Sequence, residues 1–342
     1  MERKGTVHPP ERLRYPDPST EFPVTRLTSP KYTSVFPQPF CRCLSRKGDF
    51  VIFVSDRAGS AQVFRLEVKS GKSRQLTDAL ALHPNTVTLS PDDKSFAFFD
   101  GQTLYQSGIN RLSARPLYTV PAGWQLGQGL HFSADDKFAA FTEHGTGGWR
   151  ARLIELRKRK VRTVLEDTRE LAVPVPRPTG SFLLYRRAGD EIWMAGFNGK
   201  RRLKLDTPPG TAGPAVWSTD GRSILYLHFP PTRRELNAIR VYYVDSGRDQ
   251  RVAKTSQFVC FSPNRDASVL VGASSGKATP YVFLLLRSTG KELPLCEHKS
   301  SRPAEVNPFF SADSKRVFYQ SDRDGHTAIY SVELGNLIEP TA

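Results

Sequence analysis

Short apolar runs alternate with polar turns along the whole chain, and the alternation has a period. An apolar residue leads into a small polar turn, and an apolar run follows. The turn reads Leu44-Ser45-Arg46-Lys47-Gly48, then Leu89-Ser90-Pro91-Asp92-Asp93, then Phe132-Ser133-Ala134-Asp135-Asp136. It continues as Pro176-Arg177-Pro178-Thr179-Gly180, Trp217-Ser218-Thr219-Asp220-Gly221, Phe261-Ser262-Pro263-Asn264-Arg265 and Phe310-Ser311-Ala312-Asp313-Ser314. The second positions are 45, 90, 133, 177, 218, 262 and 311, so the spacings are 45, 43, 44, 41, 44 and 49. Seven copies at this period match seven four-stranded propeller blades.

Each copy has the same internal order. Ser, Asp and Gly suit a tight hairpin because they bond their own backbone or tolerate unusual dihedrals. Runs such as Val51-Ile52-Phe53-Val54, Phe138-Ala139-Ala140-Phe141 and Ile224-Leu225-Tyr226-Leu227 then read as strands buried on both faces. A third strand alternates, as in Gln62-Val63-Phe64-Arg65-Leu66-Glu67-Val68, and a glycine turn leads to a polar fourth strand at Arg74-Gln75-Leu76-Thr77.

The seventh unit stops short of a fourth strand. After Ala328-Ile329-Tyr330-Ser331-Val332-Glu333-Leu334 only eight residues remain. The missing strand appears at the other end, where Val24-Thr25-Arg26-Leu27-Thr28 resembles the close of unit one. The pattern predicts an all-β, seven-bladed β-propeller whose last blade is completed by an N-terminal strand. A single domain is expected over 24–342. Residues 1–23, with Pro9, Pro10, Pro16 and Pro18, are expected as an extended arm.

Composition narrows the partners. Forty-nine Lys and Arg against 34 Asp and Glu leave a formal charge of +15 in 342 residues, with 38% hydrophobic residues. That is too apolar for a disordered chain. No run approaches the roughly 20 apolar residues of a membrane helix, so no membrane partner is expected. No secretory signal is visible, and Cys41, Cys43, Cys260 and Cys296 are scattered, which fits buried, reduced thiols and a cytoplasmic location. Cys41 and Cys43 flank one residue of an expected strand, so their side chains should point the same way. From Arg150 to Lys204 there are 15 Lys and Arg against 6 Asp and Glu. The run Arg157-Lys158-Arg159-Lys160 reads either as a polyanion site or as a solvated turn. No aromatic interleaving accompanies it, so nucleic acid is the weaker polyanion.

The repeats resemble the TolB-type, WD40-like class, as Ser55-Asp56-Arg57-Ala58-Gly59 and Ser321-Asp322-Arg323-Asp324-Gly325 illustrate. Most of the chain is similar to the oligogalacturonate lyase family. The matching stretches include Pro23-Val24-Thr25-Arg26-Leu27-Thr28, Gln75-Leu76-Thr77, Val120-Pro121-Ala122-Gly123-Trp124, Arg152-Leu153-Ile154, and the closing unit from Asn307-Pro308 to Tyr330. The resemblance implies a seven-bladed propeller that cleaves short pectin fragments by β-elimination. A divalent metal, Mn2+, held by His and Gln neutralises the uronate carboxylate while a base takes the neighbouring proton.

Residue by residue, that machinery is mostly replaced. The family's Gln-x-x-His-x-His falls on Arg302-Pro303-Ala304-Glu305-Val306-Asn307, a metal-binding His falls on Pro214, and the catalytic His falls on Val173. Only the Arg is kept, at Arg152. No metal site is therefore expected. Arg152 is the candidate catalytic residue, and Arg177, Arg302, His131, Glu305 and Asn307 are candidates for substrate binding. Each has a plainer alternative: an ion pair between blades for Arg152, a surface turn for Arg177, mutual pairing for Arg302 and Glu305, and a satisfied structural histidine for His131. Trp149 could stack on a sugar or simply pack. The expected partner is an acidic oligosaccharide, with a non-catalytic glycan- or protein-binding scaffold as the alternative.

Overall fold

The polar turns are hairpins of one geometry, and that geometry repeats around a ring. The computed structural model describes residues 3–37, 41–232 and 234–335. In each turn the first polar residue donates its N–H to the carbonyl five residues on, as from Ser90 to Ser95 at 2.8 Å. A serine hydroxyl accepts the return N–H, as from Ser95 to Ser90 at 3.0 Å. The residue three positions on is left-handed in every copy: Gly48, Asp93, Asp136, Gly180, Gly221, Ala267 and Ser314. Gly and Asp meet that demand cheaply, which explains their recurrence. The sixth turn departs from the sequence reading. Its hydrogen bonds start at Asn264, two residues after Ser262, and Asn264 Oδ1 takes the Val269 N–H at 3.1 Å. Ser262 belongs to the strand Phe258–Pro263.

Seven antiparallel sheets of four or five strands make the blades, ordered from the central channel outward along the chain. Successive strands reverse direction, so all seven inner strands run the same way. Links between blades and the hairpins joining second to third strands therefore share one face, called here the entry face. The repeat turns and the hairpins joining third to fourth strands share the opposite, exit face. Second strands are sandwiched between neighbouring blades. Val51, Ile52 and Phe53 are all 0% exposed, which is why these runs are apolar on both sides.

The strand Pro23–Arg26 completes blade seven, with Val24 opposite Val332, Thr25 opposite Ser331 and Arg26 opposite Tyr330. Leu13–Pro16 pairs outside it, and Val7–His8 adds a fifth strand to blade one. Both lie in the segment whose prolines suggest an extended arm. Residues 1–2 and 336–342 of the expected arm and domain lie outside the described residues. Asp17, fully buried, accepts the Glu297 N–H of blade six at 3.0 Å. The leading segment thus touches blades six, seven and one across the seam.

The inner strands are irregular. Pairing with the second strand skips between Leu126 and Leu130, between Ala172 and Val175, between Ala212 and Ala215, and between Phe258 and Cys260. Such bulges re-aim backbone and side chains toward the channel. In blade one the chain leaves its inner strand Ser34–Val35 and returns at Leu44, which bridges Val51. On the way Phe36 N–H bonds Gln320 of blade seven at 2.7 Å, Cys41 Sγ lies 3.5 Å from His131 Nε2 of blade three, and Arg42 O accepts the Leu89 N–H of blade two. The described parts of this segment, called here the crossing segment, thus reach blades seven, three and two. Cys41 and Cys43 are consequently not strand residues, contrary to the expectation from their spacing. No helix among the described residues is long and apolar enough to cross a membrane.

Candidate functional site

The channel and its entry face gather the bulges, the crossing segment and part of the basic excess. Against the crossing segment lies a cavity of about 180 Å³, walled by Phe36, Pro37, Cys41, Phe261, Asn307 and Phe309 among others. Its lining mixes aromatic rings and prolines with two cysteines, Arg42, Ser262 and Asn307. Asn307 is left-handed, and its Oδ1 is buried with no hydrogen-bond partner among the described residues. Such an orphaned acceptor is costly and points to a site that takes a donor.

The other sequence-predicted residues do not converge on this cavity. Arg302 stands on the entry face with its Nη1 2.8 Å from Glu305 Oε2, and both side chains are about half exposed. Arg302 Nη2 also reaches Thr327 Oγ1 at 3.3 Å. Arg177 lies at the exit end of blade four, where its Nε donates to Gly221 O at 2.7 Å and its guanidinium lies over Trp217. Arg152 is wedged between blades two and three. Glu143, with a side chain 0% exposed, takes Arg150 Nε at 2.6 Å and lies 3.5 Å from Arg152 Nε. The Tyr118 hydroxyl donates to the same carboxylate at 2.7 Å. Trp149 stacks on His144 with ring centroids 4.6 Å apart and packs against the core between blades three and four.

His131 is buried beneath the crossing segment, and desolvation of the imidazolium pushes its pKa down to about 4. Burial pushes the Cys41 thiol up to about 12. Both groups are held neutral, so their contact is not an activated nucleophile. The four cysteines are free and buried. A histidine kept neutral in the folded chain stabilises it fully above its unfolded pKa of 6.5, and the contribution is lost as pH falls toward 4. The gap corresponds to about 3 kcal/mol. Urea midpoints at pH 7.5, 5.5 and 4.5 should fall less steeply for His131→Gln than for the unsubstituted protein.

The donor set does not fit a divalent metal. At the positions the resemblance points to stand Val173, Pro214, Arg302, Glu305 and Asn307. Arg302 engages Glu305 with a cationic group, and Pro214 and Val173 lie in backbone bulges with no donor side chain. Among the described residues no three His, Cys, Asp or Glu side chains gather closely enough to hold a metal ion.

Arg186 was not picked out from the sequence. It lies near the entry end of the second strand of blade four, and its Nη2 donates to Ala212 O at 2.8 Å, beside the Gly213-Pro214 bulge of blade five. It is half-buried and has no ion-pair partner among the described residues; desolvation lowers its pKa. Only its tertiary setting separates it from its neighbour Arg187, which is paired to Asp167 at 2.6 Å.

No protein-family model matches the chain. It is 21% identical to an oligogalacturonate lyase of Dickeya dadantii over 373 aligned positions, covering 94% of this chain and 95% of that protein. It is 22% identical to an oligogalacturonide lyase of Pectobacterium atrosepticum, covering 97% and 98%. A Tol-Pal system protein TolB of Nitratidesulfovibrio vulgaris is 30% identical over 138 residues, which is 40% of this chain and 29% of that protein. Among solved structures, an oligogalacturonate lyase in complex with manganese superposes with a TM-score of 0.92 at 20% identity, covering 98% of this chain and 99% of the other. The oligogalacturonate lyase of Vibrio parahaemolyticus gives 0.89 at 18% identity, covering 96% and 98%. The chain thus has homologues named oligogalacturonate lyase over nearly its full length, and it shares their propeller fold.

Proposed function

We propose that the entry mouth of the channel binds acidic, uronate-containing oligosaccharides through guanidinium groups and without a divalent metal. The observation that carries this reading is Arg186, a half-buried cation beside the bulge of blade five that has no ion-pair partner among the described residues, Asp190 and Glu170 acting on it only from a distance. Removing a guanidinium from water is costly unless an anion meets it, and a carboxylate matches its fork geometry. Arg302 adds a second, half-exposed guanidinium on the same face, where a ligand carboxylate can compete with Glu305. The two lyase relatives supply the ligand class. β-Elimination needs a base beside a neutralised carboxylate, and Val173 and Pro214 supply neither, so the reading is of binding.

Titration calorimetry with trigalacturonate tests it. Binding is expected to be insensitive to chelator, and Arg186→Gln should weaken it roughly tenfold. The ultraviolet absorbance of an unsaturated uronate should not develop. Product that forms with manganese and vanishes with chelator would overturn the metal-free reading. No binding of any uronate would leave a protein-binding scaffold.

A further inference from the structure

The exit face carries a separate feature. Blade three ends its third-to-fourth-strand hairpin with exposed Arg157, Arg159 and Lys160, and Arg162 follows on the outer strand. The corresponding hairpin of blade four exposes Lys200, Arg201 and Arg202. None of these seven has an ion-pair partner among the described residues; only Lys158 and Lys204 beside them do, with Glu155 and Glu191. The two hairpins form one rim because blade four's turn packs directly on blade three. A Cβ at Gly199 would stand 2.4 Å from Val164 O, and the Phe138 and Phe197 rings below are 5.7 Å apart.

The backbone adds a second observation. The left-handed position of this hairpin is Gly71 in blade one, Gly247 in blade five and Gly290 in blade six. Blade two places Leu112 there and buries it in the core. Blade three places Arg159 there with φ +55°, exposed. Among the described residues no ion pair or ring contact of Arg159 is seen, so the strained position holds a cation out to solvent.

We infer that this rim is a second binding surface, and that it takes a linear anionic polysaccharide. An extended polyanion is matched by cations spread along an edge rather than converged in a pocket. No aromatic ring is exposed among the seven, so the stacking platforms that hold single-stranded nucleic acid are missing. Leu203 is the single exposed large apolar side chain beside them, which gives little to insert into a lipid surface. The inference borrows its sugar class from the proposed function but uses the opposite face.

The test compares long polygalacturonate, trigalacturonate, a single-stranded oligonucleotide and phosphatidylserine vesicles on the intact protein. Two variants are used, R157S/R159G/K160S and R201S/R202S, each checked for an unchanged melting temperature. Both should bind the long polymer roughly tenfold more weakly, with a shallower salt dependence, and should bind the trimer as before. Unchanged polymer affinity in both folded variants overturns the inference. Tighter binding of the oligonucleotide or the vesicles than of the polymer, at equal ionic strength, overturns it as well. If the trimer fails to bind while the polymer loss appears, the mouth reading falls and the rim stands.

Discussion

A chain beginning at residue 28 should fail to hold its ring, and Val24→Asp alone should come close to that outcome. Val24 is 0% exposed, pairs with Val332 and belongs to the core that includes Tyr319 and Tyr330. Losing its burial costs about 2 kcal/mol, and a carboxylate there without a partner raises the total to about 4 kcal/mol or more. The truncation also removes Leu27, whose N–H bonds Ile329 O at 2.7 Å, and leaves the Asp17 contacts to blade six unmade. Ala328–Glu333 would become an open edge, so self-association should accompany the loss of stability. Urea unfolding and light scattering measure both effects. Leu13→Asp, on a half-exposed strand residue of the same segment, is the contrast and should stay within about 0.5 kcal/mol. A truncated chain that stays monomeric with an unchanged midpoint would show that the ring does not depend on this seam.

Glu143→Ala should be the second severe change. Its carboxylate is completely buried and holds Arg150, Arg152 and Tyr118 between two blades. Both arginine side chains are only 12% exposed, so the substitution strands two cations in a dry seam. Breaking a buried pair from one side costs about 3–5 kcal/mol, because the surviving charge is left uncompensated. Tyr118 supplies an independent readout. Burial, and then its hydrogen bond to Glu143, raise its pKa to about 12. A phenol kept protonated in the folded chain stabilises it fully below pH 10, and the contribution fades as pH climbs toward 12. Without Glu143 the tyrosinate absorbance should appear at lower pH. A loss under about 1 kcal/mol with an unmoved Tyr118 titration would mean that the carboxylate does not organise this seam.

The ring was legible because a propeller repeats one local problem. Each unit needs a left-handed hairpin residue and an apolar run, and both leave residue types at fixed offsets. The closing strand was legible for the same reason, since Val24 to Thr28 repeats the end of unit one. The sixth turn slipped by two residues because Asn264 does through an amide what serine does through a hydroxyl. The site was less legible because its partners meet across blades. Nothing near Arg152 in sequence announces Tyr118, 34 positions away, and nothing near Arg186 announces Ala212. The crossing segment left no periodic trace, so Cys41 and Cys43 read as strand residues, although Cys41 Sγ reaches Leu130 O of blade three and Arg42 O between them takes the Leu89 N–H of blade two.

The seam joins residues made far apart in time. Val24 meets Val332, a separation of 332 − 24 = 308 positions. At about 5–20 residues per second a ribosome needs roughly 15–60 s to bridge that interval, and throughout it the strand Pro23–Arg26 has only Leu13–Pro16 beside it and lacks its partner in blade seven. Six wedges can assemble as they emerge, each from its own neighbours, but the circle cannot shut until Ala328–Glu333 has left the exit tunnel. Closure of the ring is therefore tied to the emergence of its last wedge, however early the first strands are made.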